Sequence, residues 1–354
     1  MEKQRSIINM NKKNIGLFPK EMFSRIVVML LMVCFSFVFC SSTVSAKALK
    51  LKFKKIADMP SSNIVIDPER YYGAQGTAFD TYTHKDGYAI AESRASGSKK
   101  LAIVHYRHTE DGIETVKKVI YTAAQIGHAN DATIFKKGKQ KYMFVARGGK
   151  GNKTACMIKL SDFNKGVAKV YKVSFSKLDT RSGTDLRGIT YVGKKKILIG
   201  KKKVAKQVFV VEVGRRLNLV YLKQIKNNKA SFVAVDSQRF NAPKIGSREC
   251  TAQGVTYHNG HLYIPFGDEG KGGKMRTGKI GRVGFNDLFG ETNSNKAVSL
   301  PYVWSKTKAG EFVPEAVYFT TLEGKGQMYM NTNERNASRP DEYRDSLNRT
   351  VKKY

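Results

Sequence analysis

Acidic residues are scarce in this chain. Asp and Glu together number 29 against 63 Lys and Arg, for a formal net charge of +34. A field of that sign repels basic partners and concentrates polyanions. Cysteine is nearly absent at four residues, which excludes a small disulfide-dense scaffold. Eight prolines among 354 residues leave no Pro-rich linker, and a single tryptophan, Trp304, leaves no tryptophan array for stacking on sugars. No apolar run reaches the roughly 20 residues that a membrane-spanning helix needs.

The longest apolar run, Ile26–Phe39, follows Lys12, Lys13, Lys20 and Arg25 and precedes the small residues Val44-Ser45-Ala46. A basic leader, an apolar stretch and a small-residue cleavage site read as a signal peptide over 1–46, with Met10 as an alternative start. Export from a Gram-positive cell is the expectation, to the medium or the envelope, with no integral membrane span after cleavage. An uncleaved anchor is the alternative. The remainder, 47–354, has no linker composition and reads as a single domain. It keeps a charge of about +30 and only Cys156 and Cys250, whose pairing stays open.

What the chain does have is an internal repeat. AQGTAF (Ala74–Phe79), HANDATI (His128–Ile134), LRGITY (Leu186–Tyr191), AQGVTY (Ala252–Tyr257) and VPEAVY (Val313–Tyr318) follow one another about sixty residues apart. Each is a polar residue, then a small or acidic one, then a β-prone run. Repeats of this length are single supersecondary units stacked on their neighbours. Four strands of about five to six residues with their turns fill one unit.

The second copy is the clearest. Ala132–Lys136, Lys141–Ala146, Ala155–Leu160 and Ala168–Phe175 read as strands, with turns at Lys137-Gly138-Lys139 and Ser161–Gly166. The first copy gives Gly76–Asp80, Gly87–Ala91, Lys100–Tyr106 and Glu114–Tyr121. The third gives Gly188–Val192, Lys196–Gly200, Gln207–Val213 and Leu217–Ile225. The fourth opens with Gly254–Tyr257 and turns at Asn259-Gly260, a strong hairpin signal. The fifth has Ala316–Thr320, Gln327–Asn331 and Leu347–Lys353, one strand short. The alternating stretch Leu49–Ile56 is the expected fourth strand, which would close the ring and remove two open edges.

The openings Gln-Gly-x-x-Phe/Tyr and Pro-Glu-Ala-Val-Tyr resemble the innermost-strand signatures of secreted five-bladed β-propellers. That resemblance covers 47–354 and implies an all-β ring of blades. Such phrases occur in propeller glycosidases, lyases and cyclotransferases, and equally in non-catalytic propellers, so they carry fold further than activity.

In such a ring the repeat openings and the second-strand ends share one face, the channel mouth. Openings place Gln75, His128, Asn130, Asp131, Asp185, Arg187, Gln253 and Glu315 there. Second-strand ends add Glu92, Arg94, Arg147, Lys201, Asp268, Glu269, Asn331 and Asn333. Converging polar groups at a concave mouth are a site hypothesis; a structural network plugging the channel is the competing one. Asp131 and Glu315 are the candidate catalytic carboxyls, since glycoside chemistry needs two at a defined separation. Asp131, Asp185, Asp268 and Glu315 are also of the kind that holds Ca²⁺, but no Asp-x-Asp-x-Asp-Gly run accompanies them and no cofactor is expected. The basic loop Gly267–Arg282, with Lys271, Lys274, Arg276 and Lys279, overhangs the same face and suits an anion.

The composition and the ring together read as an exported basic propeller that binds an anionic cell-wall polymer or acidic glycan, with extracellular nucleic acid ranked below these. The alternative is a propeller glycosidase or lyase/cyclotransferase using the mouth carboxyls, and a third reading is an adhesion protein.

Overall fold

The structure, a computed structural model, describes residues 51–59, 64–66, 69–93, 97–109, 112–149, 154–181, 185–245, 248–268, 277–290, 297–306, 311–320, 326–336 and 339–351. The expected signal peptide lies outside the described residues, as do Arg94, Glu269, Lys271, Lys274 and Arg276. The chain divides into Met1–Ala48 and Leu49–Tyr354, and every described element belongs to the second part.

The repeats fold as antiparallel meanders. The first comprises Glu69–Phe79, Asp86–Ser93, Lys100–Thr109 and Gly112–Thr122. The second comprises Asp131–Lys137, Gln140–Ala146, Ala155–Lys159 and Tyr171–Ser176. Its outer strand begins at Tyr171 rather than Ala168, and a short helix, Leu160–Asn164, occupies the expected turn because Leu160 and Phe163 are drawn into the core. In the fourth, Thr256–His258, His261–Asp268, Thr277–Gly284 and Tyr302–Lys306 pair in order. Its first turn has Asn259 at φ 44° and Gly260 at φ 80°, the left-handed pair that Asn-Gly supplies.

The third meander departs from the sequence reading. Gly188–Val192 and Lys196–Gly200 are not two strands but one, Leu186–Ile199, continuous through a bulge between Tyr191 and Gly193. Gly193 adopts φ 115°, a conformation open to glycine, and so absorbs the bulge without turning the chain. The strand returns as Lys202–Val213, continues through Arg216–Lys226, and ends in a strand that the sequence reading missed, Lys229–Asn241. Lys229–Asn241 also pairs in parallel with Tyr171–Ser176, fusing the second and third meanders into one sheet.

The last meander comprises Glu311–Thr320, Gln327–Asn336 and Arg339–Thr350. Phe53–Asp58 pairs antiparallel with Arg339–Thr350, from Phe53 opposite Thr350 to Asp58 opposite Ser346.

The first strands of successive meanders lie side by side around a common centre. Glu69–Phe79 contacts Asp131–Lys137, which contacts Leu186–Ile199, then Thr256–His258, then Glu311–Thr320, which returns to Glu69–Phe79. Threonines in the repeated phrase stitch these strands together. Thr133 Oγ1 accepts from the Tyr191 amide at 3.2 Å, Thr190 Oγ1 accepts from the Tyr257 amide at 3.1 Å, and Thr256 Oγ1 donates to the Val317 carbonyl at 2.6 Å. An inner strand has no ladder partner on its axial side, so these hydroxyls satisfy backbone groups that would otherwise be buried unpaired.

Each meander packs face to face on the next through its own apolar cluster. Ile90 and Ile103 meet Ile134 and Met143; Phe135 and Phe144 meet Phe209 and Phe232. Val210 and Leu219 meet Leu262 and Phe266, and Tyr263 and Ile280 meet Val317 and Met330. The seam between the last and first meanders is filled by Phe79, Tyr106, Tyr318, Tyr329 and Met59. This is an all-β propeller. Cys156 and Cys250 sit in different clusters and are not bridged to each other. No helix among the described residues is long and apolar enough to cross a membrane.

Candidate functional site at the channel mouth

Asp131 opens the second inner strand and is 4 % exposed. Its Oδ1 accepts from the Ala132 amide at 2.9 Å, and its Oδ2 accepts from the Ile189 and Val255 amides, both at 3.0 Å. One carboxylate therefore ties three inner strands. Burial pushes its pKa up to about 8, against the three amides, which pull it down. Gly254 must be glycine beside it, since a Cβ there would stand 2.8 Å from the Asp131 Cγ. The carboxyl offered as a catalytic candidate is thus committed to backbone donors. Glu315, the other candidate, is 5 % exposed on the last inner strand.

The remaining expected mouth residues divide. Asn130 and Gln253 are buried at their strand starts, and Gln75 is half-buried. His128 Nδ1 lies 2.6 Å from Glu92 Oε1, so a repeat opening and a second-strand end meet as expected. Arg187 donates to Asp185 Oδ2 at 3.3 Å. Arg147 instead turns toward the helix after the first meander, donating to the Ala124 carbonyl at 2.7 Å and Thr154 Oγ1 at 3.3 Å. Asn331 is fully buried, its Nδ2 donating to Thr77 Oγ1 at 3.2 Å. Asp268 ends its strand opposite Thr277. Lys279 lies over the Tyr302 ring at 4.8 Å, on the third strand of its meander.

Lys201 is a correction. Because Leu186–Ile199 runs past the expected turn, Lys201 falls in the far hairpin between Ile199 and Lys202, at the opposite end of the strand from the mouth. The second-strand end that does reach the mouth carries Glu212. The signal was present in VFVVEVG, where a carboxylate interrupts an apolar run before glycine as Arg147 does before Gly148. The false turn at Gly193 hid it.

Glu212 is fully buried, and neither of its carboxyl oxygens has a hydrogen-bond partner among the described residues. A Cβ on Gly188 would come within 3.0 Å of its Oε2. Burial raises its pKa to about 8; the Arg187 cation lowers it and the Asp131 charge raises it. An acid whose folded pKa exceeds its unfolded value is proton-bound in the fold and ionised in the open chain. Its contribution to stability is therefore full below about pH 4.5 and is lost as pH climbs toward about 8. Glu212→Gln should flatten the fall in melting temperature between pH 5 and pH 8. An unchanged slope would show that Glu212 does not titrate in this way.

A cavity of about 240 Å³ lies between the third and fourth meanders, lined by Asp185, Arg187, Arg215, Phe240, Glu249 and Cys250 among others. Arg215 pairs with Glu249 across it. Neither belongs to the repeated phrase, so no periodic signal marked them. Two guanidinium–carboxylate pairs make this wall rich in donors and acceptors but nearly neutral. A separate cavity of about 80 Å³ lies among the inner strands, lined by Thr77, Thr133, Thr190, Tyr191, Tyr257 and His258 with their neighbours. His258 stacks on Phe319 at 4.0 Å, and burial lowers its pKa to about 4. His261 contacts the Asn259 carbonyl in the same turn. Among the described residues no group of three or more His, Cys, Asp or Glu is placed to hold a metal ion.

No protein-family description matches the chain, and no curated protein sequence does. Among solved structures it is similar to the tail fibre of Staphylococcus aureus phage P68, at 11% identity and a TM-score of 0.43, covering 85% of this chain and 52% of that one. It spans about half the length of that fibre protein. It is also similar to a GH43 endo-arabinanase from Bacillus licheniformis, at 11% identity and a TM-score of 0.43 over 77% of this chain and 92% of that one. An arabinanase of Bacillus subtilis gives 12% identity and a TM-score of 0.40, over 79% and 96%. At these values no activity or substrate passes to this chain, and its architecture rests on its own strand pairing and seams.

Proposed function

We propose that this is an exported five-bladed propeller, its ring closed by Phe53–Asp58, that binds an acidic glycan or anionic cell-wall polymer of a Gram-positive envelope at its channel mouth. The observation that carries the reading is the 240 Å³ cavity with its Arg187–Asp185 and Arg215–Glu249 pairs. Sugar hydroxyls both donate and accept, so they can bridge a guanidinium and a carboxylate together. A bare phosphate would have to displace Asp185 or Glu249 to reach either cation. The mouth therefore suits the hydroxylated part of such a polymer, and the surplus positive charge elsewhere draws its anionic groups.

One observation favours the enzyme alternative. Glu212, buried beside Arg187 and coupled to Asp131, is held proton-bound near neutrality, as a general acid must be. Hydrolysis would require a second carboxyl across the bond, for which Asp185 and Glu315 are the mouth candidates.

The test is equilibrium binding of polygalacturonate and poly(glycerol phosphate) to the purified protein, with chromatography of the polymers after prolonged incubation. Arg187→Gln is expected to weaken binding about tenfold, a loss of about 1.4 kcal/mol, with the melting curve retained. Absence of binding by the wild type would refute the reading. Chain shortening that disappears in Glu212→Gln would make the protein an enzyme.

A further inference from the structure

The long hairpin of the third meander, whose first strand the sequence reading split in two, carries the densest charge of the described chain. Residues 194–206 contain Lys194, Lys195, Lys196, Lys201, Lys202, Lys203 and Lys206 and no acid. Pairing sets Lys194 opposite Gln207, Lys195 opposite Lys206, Lys196 opposite Ala205, and Leu198 opposite Lys203. Side chains alternate between the two faces of a ribbon, and burial shows which face is covered. Ile197 is 6 % exposed and joins the third-to-fourth seam, with Ile199 packed against it. Lys195 lies 5.6 Å over the Tyr257 ring and Lys206 5.4 Å over Tyr221. The other face, with Lys194, Lys196, Lys203 and Leu198, is exposed.

Like charges directly opposite across a ladder repel. Lys195 and Lys206 meet on the packed face beside the Tyr257 and Tyr221 rings, and residues 194–206 hold no carboxylate to offset the seven lysines. An anion laid on the outward face would offset the like charge that the whole hairpin concentrates. Lysines two apart on one strand stand about 7 Å apart and the strands about 4.8 Å apart, a narrow track suited to one flexible charged chain.

We propose that the outward face of the 194–206 hairpin is the binding site for the anionic backbone, phosphodiester or carboxylate, of a flexible polymer. It is separate from the mouth and at the far end of the strand from it. The inference rests on the reading that the ligand is an acidic polymer, and it names where the charge is held. One exposed leucine is too little apolar surface to anchor the hairpin in a bilayer. With its other face packed on the propeller, the ribbon also cannot enter a nucleic-acid groove.

The experiment compares Lys194→Gln/Lys196→Gln/Lys203→Gln with a control that removes the same charge from exposed outer positions, Lys54→Gln/Lys118→Gln/Lys172→Gln. Binding of poly(glycerol phosphate) and of polygalacturonate is measured at low and physiological salt, beside anionic phosphatidylglycerol vesicles and single-stranded DNA. The hairpin variant is expected to lose about tenfold or more in affinity for at least one polymer and to show a shallower salt dependence, since fewer counterions are displaced, while the control loses little. Which polymer responds distinguishes phosphodiester from carboxylate. Equal losses in both variants would overturn the site while leaving an acidic ligand in place. Wild-type binding to vesicles or DNA but to neither polymer would overturn it in favour of those partners, and no binding at all would remove the acidic-ligand reading with it.

Discussion

Deleting Phe53–Asp58 is expected to abolish the single cooperative melting transition of the domain. Five residues of this strand are in register with Arg339–Thr350. Flanking bonds extend the seam, from the Leu51 amide to the Val303 carbonyl and from the Val351 amide to the Lys52 carbonyl, both at 2.9 Å. Ile56 packs into the cluster between the last and first meanders, and Phe53 into the cluster between the fourth and last. Losing the strand opens an edge and uncovers those clusters. Burial of one such side chain is worth roughly 1.5–3 kcal/mol, so two side chains and the ladder approach the 5–15 kcal/mol by which whole domains are stable. Circular dichroism on heating reads the outcome. A deletion variant melting cooperatively at the parental temperature would show that the ring does not depend on this strand.

Asp131→Asn should be the most damaging single conservative change in the mouth. All three contacts of the carboxylate are accepted from backbone amides. An Asn side chain offers one accepting oxygen and turns an –NH₂ toward at least one of those donors. Leaving a buried donor unsatisfied costs about 1–3 kcal/mol, and a loss of that size is expected by urea denaturation. Asp131→Ala should cost at least as much. If Asp131→Asn instead melted as wild type and only lost a glycan-processing activity, its carboxyl would be catalytic rather than a tie between strands.

Much of the architecture was legible because period and alternation are local. The second meander was visible as four strands, and the Asn259-Gly260 turn announced its hairpin, since both depend only on neighbouring residues. The third meander was not. Val192-Gly193-Lys194 looks like the true turn at Lys137-Gly138-Lys139, and in the structure Gly138 has φ 59° within a turn while Gly193 has φ 115° within a bulge. Nothing local separates the two. What separates them is the apolar seam that takes up Ile197 and Ile199 and keeps the strand going. That one error put Lys201 at the mouth, whereas it lies in the far hairpin, and concealed Glu212.

The sequence by itself determined the repeat, the β character of each unit and the excess of positive charge, and it pointed to Leu49–Ile56 as a strand where the structure has Phe53–Asp58. Each follows from spacing or composition, which survive in one dimension. The tertiary structure decided which polar groups are spent on the fold and which remain. Asp131 is consumed by amides 58 and 124 residues away, Arg147 turns outward to Ala124, and Arg215 and Glu249 come together with no periodic mark. The cause is that a buried polar group takes its role from whatever partner the closed ring brings within about 3 Å, and that partner is fixed only when the inner strands meet.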